Sequence, residues 1–268
     1  MATSIRLIDT LRAPSADCVY REFKNKGYVV LERAIPQDVV EGMRAVWEKY
    51  FIPFSQRRPE LKRLLMHVPF KAPLYDPRFV ANPLVLEIAD RVLGRNYVCG
   101  YFGSETPLPG APAMDAHFDL AFWSRFSFLN KPLAFLNKFL GTVNYCYGIQ
   151  VSLPLVDSNA DNAPFEIWPA TNRLSLRRLP PPDVLLMPAG SLLVRDIRNL
   201  HRGTAHRGRY SRPFLSLVYL RPWVPAWRPP EIPLAIYDAL PIRTQKLFRS
   251  AAIGQPIPDP EAWSQRSR

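Results

Sequence analysis

Ala116-His117-Phe118-Asp119-Leu120-Ala121-Phe122-Trp123 is the stretch on which the reading of this chain turns. In an extended strand, side chains two residues apart point to the same face. His117 and Asp119 can therefore hold one ion from one side. A second histidine from elsewhere would complete a 2-His-1-carboxylate facial set, which leaves open coordination positions and suits non-heme Fe(II). His-x-Asp alone occurs by chance. The chain offers few partners for it, because its histidines are only four: His67, His117, His201 and His206.

Far downstream, Gly190-Ser191-Leu192-Leu193-Val194-Arg195-Asp196-Ile197-Arg198-Asn199-Leu200-His201-Arg202-Gly203 reads as a turn, a strand and a histidine at its end. Arg212 follows and opens Arg212-Pro213-Phe214-Leu215-Ser216-Leu217-Val218-Tyr219, a strand apolar enough to lie inside a barrel. An arginine at the mouth of such a strand is costly to bury without an anionic partner. A guanidinium fork matches a carboxylate in bidentate geometry.

The composition sets bounds around these motifs. At 268 residues, with 47% hydrophobic and 22% charged residues, the chain can bury a sizeable core in an ordinary globular domain. Its 29 prolines favour a loop-rich β architecture, since proline is poorly tolerated inside helices. Cys18, Cys99 and Cys146 are too few and too far apart for a disulfide framework or a zinc motif. A reduced, cytoplasmic setting is expected, and Met1-Ala2-Thr3-Ser4-Ile5-Arg6 lacks the apolar run of a signal peptide. Residues 139–156 carry no charge, but Asn144, Gln150 and Pro154 with strand-like alternation argue for a buried strand over a membrane span. The net charge of +12 attracts anions. The basic residues are scattered in short groups, with no stripe of interleaved aromatics, so a nucleic-acid partner is not expected.

Taken in order, residues 15–26 read as a capped amphipathic helix ending before Gly27, followed by the strand Tyr28-Val29-Val30-Leu31. Pro36 starts a second helix, with Val39, Val40, Met43, Val46, Trp47 and Tyr50 at helical spacing as core residues. Residues 51–80 are basic and proline-punctuated, and His67 there is read as a loop or partly buried histidine and not as a ligand. Pro83–Leu93 is a third helix closed by Gly94, and Tyr97–Tyr101 is a core strand. Residues 122–139, rich in Phe, Leu and Trp, suit either a lid or a packing segment. Strands follow at 143–156, 163–168, 184–187, 191–197 and 214–221. The last forty residues, with a short helix near Pro241–Ser250, wrap the surface. Helices at the front and a β-rich remainder give a single α+β domain.

These pieces together resemble the phytanoyl-CoA dioxygenase-like branch of the Fe(II)/2-oxoglutarate oxygenases. The resemblance runs through the opening helix and Gly27-Tyr28-Val29-Val30-Leu31, and through Pro109-Gly110-Ala111-Pro112 before His117-Phe118-Asp119. It continues through Asn162-Ala163-Pro164-Phe165-Glu166-Ile167-Trp168-Pro169-Ala170-Thr171-Asn172 and Asp196–Gly203 to Arg212-Pro213. Each piece is modest alone; their order and spacing are specific.

What the resemblance implies is a double-stranded β-helix (jelly-roll) core over 96–225, a helical support over 1–95 and a C-terminal wrap over 226–268. It places the Fe(II) ligands at His117, Asp119 and His201, the 2-oxoglutarate-anchoring arginine at Arg212, and Gln150 and Ser152 beside the cosubstrate. The implied activity is O2-dependent oxidation of a small molecule, by default hydroxylation, with release of succinate and CO2. Two departures stand out: Asn172 where the family usually has histidine, and His206 where it has asparagine. His206 is thus a rival third ligand; His201 is preferred because it ends the strand and keeps the offset to Arg212. Asp119 is present, whereas halogenating relatives carry a small residue there.

The substrate pocket is the least legible part. Phe102, Trp123, Phe126, Phe128 and Trp168 are candidates to line an apolar site, and Arg125 and Arg198 to meet an acidic group. No nucleotide or CoA signature is present, which favours a free small molecule such as a natural product. Two readings from other classes remain: a metal-binding jelly roll with lyase or isomerase chemistry, indifferent to loss of Arg212, and a basic nucleic-acid-binding protein with steeply salt-dependent binding.

Overall fold

The computed structural model describes residues 14–119, 146–172, 179–226 and 228–266. Helix α1 (Ala16–Lys26) is bracketed by its caps: Ser15 accepts from the Cys18 N–H, and Gly27, at φ +79°, donates to the Phe23 carbonyl at 2.7 Å. A glycine is required at that cap for a second reason. A Cβ there would lie 2.2 Å from Asn199 Oδ1 and 2.7 Å from Asn172 Oδ1. The turn feeds β1 (Tyr28–Leu31), and α2 (Gln37–Gln56) follows, burying Val40, Met43, Trp47 and Tyr50.

Next come β2 (Arg63–His67), the short α3 (Pro77–Val80), α4 (Pro83–Leu93) and β3 (Val98–Pro107). His67 therefore ends a strand, partly buried, and lies outside the ligand cluster. The edge strand is short and its burial alternates over only five residues, too brief a period to stand out among charged neighbours. After β4 (Gly148–Pro154) come β5 (Phe165–Ile167), β6 (Asp183–Leu185), β7 (Leu192–Asp196), β8 (His201–Gly203) and β9 (Phe214–Leu220).

Two antiparallel sheets result: six strands in the order β1-β7-β4-β9-β3-β2, and three in the order β6-β5-β8. His117 extends the smaller sheet by a bridge to His201, with reciprocal backbone bonds of 2.9 and 3.0 Å. The large sheet is covered on both sides, and period-2 alternation sorts its residues. Val29, Leu31, Val151, Leu153, Leu192, Val194, Leu215 and Leu217 pack with the helices in one apolar cluster. Tyr28, Val30, Leu193 and Phe214 face the other way and pack on Ile167 and Leu185 of the small sheet. The Tyr28 hydroxyl also donates across this seam to Asp183.

A β-bulge between Cys99 and Tyr101 shifts the register of β3 against β9. Cys99 and Phe102 consequently both belong to the helix-side cluster. Phe102 is fully buried, with its ring 5.6 Å from that of Phe70. As a candidate substrate contact it is corrected: it is core, because the bulge turns it outward from the space between the sheets.

The C-terminal part adds α5 (Leu234–Ala239), α6 (Ile242–Leu247) and α7 (Pro260–Arg266). From α7, Trp263 packs edge-on against Tyr50 and donates its Nε1–H to the His67 carbonyl at 3.0 Å. Among the described residues no helix is long and apolar enough to cross a membrane. The suggested lid at 122–139, with Trp123, Arg125, Phe126 and Phe128, lies outside the described residues.

Candidate metal centre

His117, Asp119 and His201 converge, with one ligand atom of each within 4.8 Å of the others. His117 arrives on the strand segment paired to β8, and His201 is the first residue of β8. Asp119 is fixed by its backbone N–H to the Ile197 carbonyl at 3.0 Å. Asp119 stands 3.8 Å from His117 Nε2 through Oδ1 and 3.5 Å from His201 Nε2 through Oδ2.

Both rings are pinned from behind. His117 Nδ1 faces the Asp115 carbonyl at 2.8 Å, and His201 Nδ1 faces the Asn199 carbonyl at 3.0 Å. A carbonyl only accepts, so Nδ1 carries the hydrogen and the lone pair sits on Nε2, toward the carboxylate. A metal-binding histidine needs this orientation from its surroundings. Burial, with Arg195 beside it, pushes the His201 imidazole down to about 3 against the opposing pull of Asp119. Burial alone would raise the Asp119 carboxyl; Arg195, His201 and His117 outweigh it and hold it at about 2. Two imidazoles presenting Nε2 and one carboxylate are the donor set a divalent first-row ion requires.

Arg195 was absent from the residues singled out in the sequence. It is 1% exposed on β7, and its Nη2 donates both to Asp119 Oδ2 and to Gln150 Oε1, while its Nε and Nη1 have no partner. Its signal was available in principle: alternation places it with Leu193 on the inward face of β7. The amide Nε2 of Gln150 reaches Glu105 Oε1 at 3.3 Å and Ser216 Oγ at 3.2 Å. Burial, then Asp119, raises the Glu105 carboxyl.

The three candidate ligands open onto a cavity of about 280 Å³ that Gln150, Glu105, Phe165, Arg63 and Arg212 also line. Arg212 is 3% exposed; its Nε donates to the Asn162 carbonyl at 2.7 Å, its guanidinium lies 4.1 Å from the Phe214 ring centroid, and its Nη1 has no partner. Burial, then Arg63, lowers it to about 9, with Glu105 opposing. A buried guanidinium with a free N–H on a cavity wall fits an anionic ligand. Arg63 itself bonds to carbonyls, among them Pro112 at 2.9 Å and Thr204.

The other expected residues are placed elsewhere. Ser152 lies behind Gln150, bonded to Ser216 Oγ at 3.2 Å, and does not reach the cavity wall. Arg198 is engaged by Asp196 at 2.6 Å, and the ring of Trp168 packs under Arg202 outside the cavity wall. His206, 2% exposed, bridges Asn162 in the loop after β8 and does not join the ligand cluster. Asn172 donates to Asp196 Oδ2 at 3.1 Å, bracing the strand that leads to His201.

No protein-family model matches the chain. Its fold is shared with solved structures of low sequence identity. The non-heme alpha-ketoglutarate-dependent epimerase SnoN from nogalamycin biosynthesis is 16% identical, covering 76% of this chain and 82% of its own, with a TM-score of 0.53. The carbocyclase SnoK from the same biosynthesis is 14% identical over 77% and 86%, with a TM-score of 0.54. AviO1 from Streptomyces viridochromogenes Tue57 is 14% identical over 79% and 97%, with a TM-score of 0.53. SnoN has also been crystallised with Fe3+, alpha-ketoglutarate and nogalamycin RO.

Proposed function

We propose that this protein is a non-heme Fe(II)/2-oxoglutarate-dependent oxygenase of the phytanoyl-CoA dioxygenase-like kind, built on a double-stranded β-helix and acting on a small molecule. The observation that carries the reading is the meeting, on one cavity, of two oriented Nε2 lone pairs, an ionised carboxylate and an under-bonded buried arginine.

His117, Asp119 and His201 would hold Fe(II) on one face, and Arg212 would take the far carboxylate of 2-oxoglutarate. The bound metal, with 2-oxo acid and O2, supplies an oxidant able to remove hydrogen from an unactivated C–H bond, succinate and CO2 being released. The protein's part is orientation and dryness. The Asp115 and Asn199 carbonyls fix the two ring tautomers. Arg195 keeps the Asp119 carboxylate ionised and turned toward both rings. Phe214 shields the Arg212 guanidinium, so its interaction with an anion is little weakened by water.

Hydroxylation is the default outcome. SnoN is named an epimerase and SnoK a carbocyclase, which supports epimerisation or ring closure as alternative outcomes. A natural product is the favoured substrate type.

Anaerobic titration with Fe(II) and 2-oxoglutarate is the direct test: a weak visible charge-transfer band is expected from the bidentate chelate. Absence of the band together with absence of succinate release in air would sink the reading. Activity that survives Arg212→Ala would instead point to a metal enzyme that needs no 2-oxo acid.

A further inference from the structure

The cavity runs past the triad to a second end with a different character. On β9 its lining residues are Phe214 near Arg212, then Val218 and Leu220. Strand pairing sets Glu105 opposite Phe214, Tyr101 opposite Val218 and Val98 opposite Leu220. Glu105 thus belongs to the Arg212 end, and the Tyr101 hydroxyl leans back over Gly103 toward it, leaving Gly100 and Arg228 beyond. Beyond Tyr101 the lining is Gly100, Ile197, Val218 and Leu220, with one charged group, Arg228.

Arg228 is built into this end. It forms a parallel bridge with Tyr101, and its N–H donates to the Gly100 carbonyl at 3.4 Å. Gly100 sits in the bulge of β3; a Cβ there would lie 2.4 Å from Leu220 Cδ1 and 3.4 Å from Ala226 Cα, so glycine leaves room for the Leu220 side chain with Ala226 in ordinary contact. The half-buried Arg228 side chain makes no ion pair with a carboxylate among the described residues. Arg198, a sequence candidate to meet an acidic group, is instead paired with Asp196 at 2.6 Å.

We propose that Arg228 binds the carboxylate of the substrate, and that the substrate is therefore a carboxylic acid whose apolar body lies against Gly100, Ile197, Val218 and Leu220. This deepens the oxygenase reading and rests on it for its catalytic meaning, though the binding itself needs no metal. A guanidinium facing apolar walls favours an anion over its neutral isostere, because the amide leaves the cation unpaired.

The probes are three acid–amide pairs, built on 3-phenylpropionic, cyclohexylacetic and 1-naphthylacetic acids. Calorimetric titration is done on the full chain with Mn(II) and saturating N-oxalylglycine to occupy the Arg212 end. At least one acid is expected to bind about tenfold tighter than its amide. Arg228→Gln should abolish that preference with the N-oxalylglycine affinity unchanged, and Arg228→Lys should keep part of it, which separates charge from folding. The same titration on metal-free Arg212→Gln protein should retain the preference even if Mn(II) and N-oxalylglycine fail to bind, so failure of the oxygenase reading is told apart from failure of this one. The proposal is overturned if every acid and amide bind alike, if Arg228→Gln keeps the preference, or if phenyl phosphate binds tenfold tighter than all three acids.

Discussion

The two faces of the six-stranded sheet are made by the same strands and do opposite work. Toward the helices, β1, β4, β7 and β9 present Val29, Leu31, Val151, Leu153, Leu192, Val194, Leu215 and Leu217, all apolar and all buried. One residue along in β4, β7 and β9, the inner face carries Gln150, Ser152, Arg195 and Ser216, equally buried but polar, beside the apolar Val30, Leu193 and Phe214. The outer face gains from removing surface from water. The inner face gives up that gain, and its polar groups persist only through networks such as Arg195 with Asp119 and Gln150. The lesson is that stability and chemistry are separated here by parity along the strand, not by position along the chain.

The strongest way to break this comparison is at the ligands. Asp119→Ala or His201→Ala should weaken Fe(II) binding by more than about 100-fold and remove the chelate band, since even groups that only support ligands cost 10- to 100-fold. His206→Asn, outside the cluster, should keep both; measured by anaerobic metal titration, the opposite ranking would show that the third ligand is misassigned. Next comes Arg212→Gln. It should raise the KM for 2-oxoglutarate by roughly 30-fold or more, the cost of removing one partner of a buried charge pair, with metal affinity nearly unchanged.

On the other face the effect moves from binding to stability. Leu217→Ala, fully buried against the helices, should cost about 3 kcal/mol in denaturant unfolding while the chelate band keeps its position. Phe102→Leu sharpens the boundary: about 1 kcal/mol of stability is lost, and substrate KM does not change. A KM change of tenfold there would place Phe102 on the cavity side after all.

Much of the frame was legible because it is written in short periods. The caps Ser15 and Gly27, the spacing of apolar residues in α2 and the Pro83–Gly94 helix are local signals, and the structure shows those helices. β2 was missed since five alternating residues at an edge carry little signal. Phe102 was misplaced for a definite reason: Tyr97 and Cys99 face the helices, so an unbroken strand would turn Phe102 inward, and the bulge at Gly100 reverses that parity. Ser152 has the right parity but stands behind Gln150, a matter of side-chain length and neighbours.

The sequence by itself determined the strand pattern, the His117–Asp119 pair on one face, and the few histidines and arginines from which a site can be chosen, because these follow from periods of two and from scarcity. Only the tertiary structure decided that His201 and not His206 meets that pair, that Arg195 braces the carboxylate, and that Arg228 lines the same cavity. Those facts depend on which strands lie beside one another across a gap of many residues, and no local repeat encodes the distance between them.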